Sequence, residues 1–198
     1  MKTILASLSL VGAMTMASSA FAAQDYDFVQ LNGVVKSEYS DIDEFDLKGF
    51  ELRGSKSFGS NFFGELRYRD LDDSYSGVDF DESRWNVSLG YVIPMSNKVH
   101  FDVRANYGDI DVELSNGNET IGFDTKYYGV SGYAHYGLTQ DINLYAGLEF
   151  QKLDIDEGDD QKAYHLGATY TFDAISLGTE YVKYSDSDAL SLFVRYSF

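Results

Sequence analysis

Apolar side chains recur at every second residue in ten separate segments of this 198-residue chain. A period of two indicates a β-strand, because successive side chains point to opposite faces of the pleat. The segment near residues 84–93 shows the pattern most clearly, with Trp85, Val87 and Leu89 on one parity. The ten predicted strands lie at about 28–39, 47–58, 62–70, 84–93, 99–107, 128–137, 142–150, 164–172, 175–181 and 190–198.

The composition favours strands and excludes several classes of protein. The chain has 16 tyrosines, 14 phenylalanines and 18 glycines but one proline, and aromatic residues favour strands. It has no cysteine, which excludes disulfides and thiolate-bound metals. A formal net charge of −17 argues against nucleic acid as a partner, because the chain could not neutralise phosphates. A hydrophobic content of 44% is too high for a disordered chain.

The first residues are typical of a secretory signal peptide. Lys2 precedes an uncharged, mostly apolar stretch at 4–17, and Ala20 and Ala22 supply the small residues of a cleavage site. We therefore expect residues 1–22 to be a signal peptide and residues 23–198 to form one domain. Nothing in that domain approaches the roughly 18 consecutive apolar residues of a membrane helix.

The predicted strands are joined by connections that alternate in length. The short ones lie at 59–61, 94–98, 138–141 and 173–174, and the longer, mostly acidic ones lie near 40–46, 70–83, 108–124, 153–162 and 185–189. Short turns at one end and long loops at the other are the layout of an outer-membrane barrel. Only a closed barrel satisfies every strand edge in lipid. The sequence therefore predicts an all-β fold, a transmembrane antiparallel up-and-down β-barrel of ten strands, or of eight if two pairs of segments are misassigned.

The positions of the aromatic residues distinguish this barrel from a soluble β-sandwich, which shares the alternation. On the apolar parity, one row of rings lies next to the long loops: Tyr39, Tyr68, Trp85, Tyr107, Tyr128, Phe150, Tyr164 and Tyr181. A second row lies towards the short turns: Phe58, Phe62, Tyr91, Phe101, Tyr136, Phe172 and Phe198. Two aromatic rows that flank an aliphatic band are typical of membrane-interface girdles. The last strand ends on Phe198, and we expect it to close the barrel beside the first strand.

The opposite parity carries the charges, which we expect to lie in the lumen. All six arginines fall on it, and Lys36, Glu38 and the other acids listed below share that side. A charge that faces lipid near the midplane costs roughly 2–4 kcal/mol. The predicted lumen network comprises Glu51, Arg53, Glu65, Arg67, Asp102, Arg104, Glu149, Glu180 and Arg195.

Two arrangements of these charges are open. In the first, the side chains neutralise one another through charge-assisted hydrogen bonds, with Glu51 and Arg53 facing Glu65 and Arg67, and with Arg195 between Glu180 and Glu38. In the second, the same charges line a water-filled pore. Side chains can fill the interior of a barrel of about eight strands, and ten strands add little room. The sequence therefore favours a closed or very narrow lumen.

Three histidines also point inward and raise the question of catalysis. A surface hydrolase would need a histidine–acid pair at the outer rim to activate water. His100 and His135 lie towards the short-turn end, and His165 has no acid fixed beside it by spacing. We predict no catalytic residues, no enzymatic activity and no cofactor.

An acidic stretch at 154–160, DIDEGDD, suggests calcium but does not fit an EF-hand. That loop needs glycine at position six and glutamate at position twelve, whereas Gly158 stands fifth and His165 twelfth. We predict no dedicated metal site, and at most weak binding of divalent cations by the acidic loops.

Three consecutive stretches resemble a known family: FFGELRYRDLDD (62–73), FDESRWNVSLGYVIP (80–94) and VHFDVRANYGDIDVE (99–113). They are similar to the small outer-membrane β-barrels of Gram-negative bacteria, the OmpX-like, OmpA-like and porin-family proteins. The resemblance implies residence in the outer membrane, contact with its lipid and lipopolysaccharide, and recognition of the terminal aromatic strand, with Tyr196 and Phe198, by the barrel-assembly machinery. We expect a monomer with a structural or surface-interaction role; a small-solute porin is the alternative, and a hydrolase with a rim active site is the third hypothesis.

Overall fold

The computed structural model describes residues 25–40, 45–154 and 160–198. The predicted signal peptide, and residues 155–159 of the acidic stretch, lie outside the described residues. Within the described part of the chain, no helix has the length and apolarity to span a membrane.

The described residues form ten antiparallel strands, which close into a single barrel. Each strand pairs with the next along the chain, and β10 pairs with β1 through contacts such as Val29 with Tyr196. The ten-stranded up-and-down barrel is thus confirmed, and the eight-stranded alternative is wrong. The strands are β1 (Phe28–Tyr39), β2 (Lys48–Phe58), β3 (Phe62–Tyr75), β4 (Val78–Pro94), β5 (Val99–Ser115), β6 (Thr120–Gly137), β7 (Ile142–Leu153), β8 (Asp160–Phe172), β9 (Ile175–Tyr184) and β10 (Ser187–Ser197).

The period of two separates an apolar exterior from a polar interior. On β4, Val87 and Leu89 are exposed on the outside while Asn86 and Ser88 are buried in the lumen. The other strands repeat this alternation. A barrel with an apolar outer band and a polar interior suits lipid outside and hydrogen bonding inside.

Strands β3, β4, β5 and β6 extend furthest beyond their predicted ends. The acidic segments at 70–83 and 108–124 are mostly strand, and the turns shrink to Ser76–Gly77 and to residues 116–119. Ser76 and Gly77 both have positive φ, 52° and 83°, as a two-residue hairpin turn of type I′ requires. We call these extensions, residues 70–83 and 109–125, the outer sheet. Strand β5 rises about 26 Å from Tyr107, next to the outer sheet, to Ser115.

A bulge in β1 reverses the expected direction of its last residues. The register with β10 shifts between Val34 and Lys36, and one extra residue moves every later side chain to the opposite face. Tyr39 therefore points inward, where its ring lies 5.6 Å from that of Phe80. Lys36 and Glu38 are instead exposed and pair with each other at 2.8 Å. The predictions that Tyr39 belongs to the outer girdle and that Lys36 and Glu38 face the lumen are corrected.

An apolar cluster closes the end of the barrel from which the outer sheet rises. Residues 45–47 fold into this mouth, and the backbone N–H of Leu47 donates to the carbonyl of Ser37 at 2.9 Å. The buried members of the cluster are Val34, Phe45, Leu47, Leu71, Phe80 and Ala189. We call it the outer cap. Leu71 of this cluster pairs directly with Glu82 on β4, so apolar side chains lie beside the charged ones at this end of the lumen.

Candidate functional site in the barrel lumen

All six arginines lie on the lumen side together with six acids. The acids are Glu51, Glu65, Glu82, Asp102, Glu149 and Glu180, all of them buried. Each predicted member of the network is therefore inside the barrel, and Arg69, Arg84 and Glu82 join them. Their hydrogen-bond partners determine whether the charged side chains bind one another across the lumen or stand separately along the wall of a pore.

Arg53 bonds to two acids on different strands of the lumen wall. Its Nε donates to Glu51 and its Nη2 donates to Glu180 at 2.8 Å. Glu51 also accepts from Arg69 Nε at 3.3 Å and from Asn32 Nδ2 at 2.7 Å. The predicted facing of Glu51 and Arg53 by Glu65 and Arg67 holds in part: Arg53 is directly opposite Arg67, whereas Arg69 is opposite Glu51. Arg53 instead links strands β2 and β9, which β1 and β10 separate in the barrel.

A second group lies towards the end of the barrel that carries the short turns. Arg104 Nε donates to Asp102 at 2.7 Å, and its Nη1 donates to Glu65 at 3.1 Å. Asp102 is fully buried and also accepts from Tyr26 Oη at 2.9 Å and from His135 Nε2 at 2.8 Å. Tyr26 precedes β1, so the segment before the first strand fills this inner mouth. Arg67 donates to Glu65 as well.

His165 lies between two carboxylates that the sequence analysis did not connect with it. Its Nδ1 lies 3.1 Å from Glu180 and its Nε2 lies 3.1 Å from Glu149. Glu149 lies on β7 and Glu180 on β9, the two strands that flank His165. Each acid is two residues along its strand from the residue that pairs directly with His165. Cross-strand diagonals of this kind bring side chains into contact, but they are recognisable only once the register is known. The residue is 2% exposed, which places it within the lumen and not at an open rim.

Arg195 is held differently from the other arginines. Its Nε donates to Gln30 at 2.7 Å, and its guanidinium lies 3.9 Å from the centroid of the Phe28 ring. The predicted position between Glu180 and Glu38 is corrected, because Glu38 is beyond the bulge and faces outward. A cation over an aromatic face is a favourable substitute for a carboxylate partner in a desolvated site.

Side chains from opposite walls meet in the lumen. The guanidinium of Arg84 on β4 lies 5.2 Å from the ring of Tyr184 on β9, and these two strands are five positions apart in a ring of ten. Tyr39 on β1 reaches across to donate to Glu82 on β4. Beside these groups the lumen retains a cavity of about 20 Å³, lined by Arg84, Tyr184 and neighbouring polar residues.

Aromatic rings fill much of the remaining interior by packing on glycines. Each such ring is directly opposite a glycine of the next strand, where a Cβ would come within 2.6 Å of ring atoms. The pairs are Phe63 with Gly90, Tyr127 with Gly108, Tyr133 with Gly147, Tyr145 with Gly167 and Phe193 with Gly178. The glycines thus make room for rings that lie flat against the wall.

Outside the barrel, the aromatic side chains form the two predicted rows apart from Tyr39. Trp85 packs against Tyr107 with ring centroids 5.7 Å apart, and the exposed members next to the outer sheet are Tyr68, Tyr107, Tyr128, Phe150, Tyr164 and Tyr181. At the other end Tyr196 and Phe198 are exposed on the same face. Among residues 25–40, 45–154 and 160–198, no group of three or more histidine and acidic side chains has the arrangement of a metal site.

A closed barrel with an apolar outer band, aromatic rows and a charged interior defines an outer-membrane β-barrel protein. Residues 3–172 match the family model described as outer membrane protein beta-barrel domain, and the chain belongs to this family. It is located in the outer membrane and is of the porin or OmpA-like type. No curated protein sequence matches the chain significantly.

Solved structures with the same fold share little sequence with this chain. The beta domain of the Bordetella autotransporter BrkA is 11% identical, covering 86% of this chain and 98% of its own, with a TM-score of 0.56. The NanC porin is 10% identical over 86% of this chain and 100% of its own, with a TM-score of 0.52. The translocator domain of the autotransporter NalP from Neisseria meningitidis is 9% identical over 86% and 87%, with a TM-score of 0.51. At these identities the similarity establishes the fold alone.

Proposed function

We propose that this protein is a non-conducting outer-membrane barrel that acts at the cell surface, as a structural or interaction protein. The observation that carries the proposal is the contact between opposite walls, Arg84 with Tyr184. A water-filled pore needs a continuous path, and side chains that meet across the lumen interrupt it. The alternative of a small-solute porin requires that these side chains separate.

The small cavity beside the contact between Arg84 and Tyr184 supports a barrel that is closed at that level. A cavity of about 20 Å³ holds about one water molecule. Of the carboxylates around it, Glu51 accepts from Arg69 and Glu149 accepts from Gln151, so a passing ion would have to break charge-assisted hydrogen bonds. Mutual neutralisation also leaves little net charge to attract a permeating ion.

Both ends of the lumen are occupied as well. The outer cap buries apolar side chains such as Leu47 and Phe80 at one end, and apolar constrictions block ions by excluding water. At the inner end Tyr26 stacks on Phe63 with ring centroids 4.3 Å apart and binds Asp102. An ion would therefore meet three successive obstacles.

The environment of His165 supports a non-enzymatic role. A general base needs a nitrogen within reach of a substrate proton, whereas both nitrogens of His165 face carboxylates in the lumen. The acid that a hydrolase requires is within hydrogen-bond distance, but the histidine and both acids are buried in the lumen. This arrangement favours a crosslink between β7, β8 and β9.

The outer surface of the barrel indicates which molecules the protein contacts. We propose that the aromatic rows contact outer-membrane lipid and lipopolysaccharide, and that the barrel-assembly machinery recognises the strand ending in Tyr196 and Phe198. We also propose a monomer, because the barrel closes on itself without an unpaired strand edge at the level of the aromatic rows.

The test is single-channel recording across a planar bilayer with the folded protein. Wild type is expected to be silent, with folding shown by heat-modifiable gel mobility. Arg84→Ala combined with Tyr184→Ala opens the contact between the walls. With Leu47→Ala and Tyr26→Ala added to open the two ends, the variant is expected to produce conductance steps. The matched control, Leu66→Ala with Leu89→Ala, shortens two exterior side chains and stays silent. Reproducible steps from wild type would replace this proposal with a porin.

A further inference from the structure

Along the first residues of β6, the outer sheet has an edge that pairs with no strand of the described residues; we call it the open edge. The last pair between β6 and β7 is Tyr127 with Leu153, and the N–H of Asp154 donates to the carbonyl of Lys126 at 2.8 Å. Beyond that bond, the described part of the chain places no strand beside residues 120–125. On their other side these residues pair with β5 throughout.

The register identifies which backbone groups point to this open edge. The N–H of Asn116 bonds to the carbonyl of Glu119, and in an antiparallel pair hydrogen-bonded and non-bonded positions alternate. Ile121 and Phe123 therefore bond to β5, whereas Thr120, Gly122 and Asp124 direct their N–H and C=O groups away from it. The bond from Asp154 to Lys126 agrees with this alternation.

The two faces of the edge differ in chemistry. On the lumen-facing side Ile121 is 72% exposed and Phe123 is 53% exposed, next to Leu114 and Val112 of β5. These two β5 residues pack against the outer cap. An apolar face therefore continues from the outer cap to the open edge.

The other face carries acids that stand directly opposite one another. Asp111 pairs with Asp124, Asp81 pairs with Asp72, and Asp81 also pairs with Glu113 on its other side. Like charges directly opposite each other in a sheet are destabilising. Cations on an adjoining strand would relieve this repulsion.

We propose that the open edge at residues 120–125 binds an extended segment of another protein in which cationic and apolar residues alternate. Backbone groups of that segment would pair with Thr120, Gly122 and Asp124, as in β-strand addition. Its cationic side chains would lie over the acidic face, and its apolar side chains would contact Ile121 and Phe123. A second copy of this chain does not fit, because it would bring a matching acidic face to the interface. The inference rests on the proposed function, because it names the partner class of a surface-interaction protein.

The first test uses a synthetic ten-residue peptide in which lysine and valine alternate, with both ends blocked. Its binding to the folded protein in lipid nanodiscs is measured by fluorescence anisotropy at two salt concentrations. The control peptide has five lysines followed by five valines, which preserves the charge but removes the period of two. We expect the alternating peptide to bind about tenfold more tightly, and its affinity to fall with salt. Equal affinity for both peptides would show that charge alone causes the binding, and this result would overturn the proposal.

Substitutions at Gly122 separate strand addition from other modes of binding. Gly122→Pro removes an N–H that faces the open edge and leaves the bonds to β5 intact, a position where an edge strand tolerates proline. Gly122→Ala keeps the N–H, and its Cβ would lie 3.6 Å from the nearest atom of Glu113, an ordinary contact. We expect proline to weaken binding about tenfold and alanine to change it less than twofold. Equal losses would contradict backbone pairing.

Hydrogen exchange tests whether the edge is free. The amides of Thr120, Gly122 and Asp124 should exchange rapidly in the protein alone and slowly with the alternating peptide. Slow exchange without peptide would mean that the chain itself or a second copy covers the edge, and the proposal would fail. The same preparation is examined for conductance: a silent barrel that does not bind the peptide refutes the edge site alone, whereas conductance steps refute the proposed function.

Discussion

Replacing Arg53 with methionine should destabilise the barrel by about 3 kcal/mol. The change keeps most of the side-chain volume but removes the donors to Glu51 and Glu180. Breaking a buried ion pair by removing one partner typically costs about 3–5 kcal/mol, because a charge is left uncompensated. We expect the lower end of that range because Glu51 keeps Asn32 and Arg69, and Glu180 keeps His165.

The assay is equilibrium unfolding in urea of the protein folded in lipid vesicles. Trp85 is the one tryptophan of the chain and packs on Tyr107 in the outer aromatic row, so its fluorescence reports loss of the barrel. Lys48→Met is the matched control, because Lys48 pairs with Asp46 at 3.1 Å with side chains that are 62% and 43% exposed. An exposed pair contributes about 0–1 kcal/mol.

A second substitution identifies the origin of the loss. Glu180→Gln introduced together with Arg53→Met removes one uncompensated charge and should recover about 1–2 kcal/mol, within the usual range of couplings between contacting residues. If Arg53→Met costs no more than Lys48→Met, the charges do not neutralise one another in a dry lumen. The closed barrel would then lose its main support.

Three further predictions concern the wall, the exterior and the inner rim. Gly147→Ala should cost about 1–3 kcal/mol in the same urea assay, because its Cβ would come within 2.3 Å of a tyrosine ring; Gly54→Ala, which faces open space, should change little. Leu89→Arg places a charge on the exposed exterior between the aromatic rows and should cost about 2–4 kcal/mol in vesicles. The pKa of Asp27, outside the strands, is lowered to about 2 by hydrogen bonds from Lys56 and the backbone of Ser57. That contribution to stability is present above the pKa of the unfolded state and is lost as pH falls towards 2; Lys56→Met should raise the pKa of Asp27 in an NMR titration.

The number and order of the strands could be predicted from the sequence because the two faces of a strand in a membrane barrel lie in different environments. Lipid on one side and a polar lumen on the other impose a strict alternation, which is visible on β4 from Trp85 to Ile93. The same constraint locates the arginines, because a guanidinium cannot face the hydrocarbon. Because short turns join strands that lie side by side, few strand orders are possible, and closure of the barrel could be predicted as well.

The ends of the strands could be predicted less accurately from the sequence, because lipid no longer constrains the side chains there. Acids such as Asp72, Asp81 and Asp111 suggested loops, since aspartate is unfavourable in strands. Val78, Phe80 and Val112 alternate with these acids, and packing of such residues on the outer cap extends the sheet. The bulge after Val34 was also hidden, because one inserted residue has no sequence signature and yet redirects Tyr39.

The sequence by itself determined the barrel and the side of the wall on which the arginines lie. These properties depend on a local period and on the transfer energy of single side chains, both of which can be read along the chain. The tertiary structure decided which charges meet, for example that Arg53 reaches Glu180 and that His165 lies between Glu149 and Glu180. It also decided that, among the described residues, no strand pairs with the first residues of β6 on the side away from β5. Such contacts depend on the stagger of strands around the closed barrel, and stagger is a property of the whole ring.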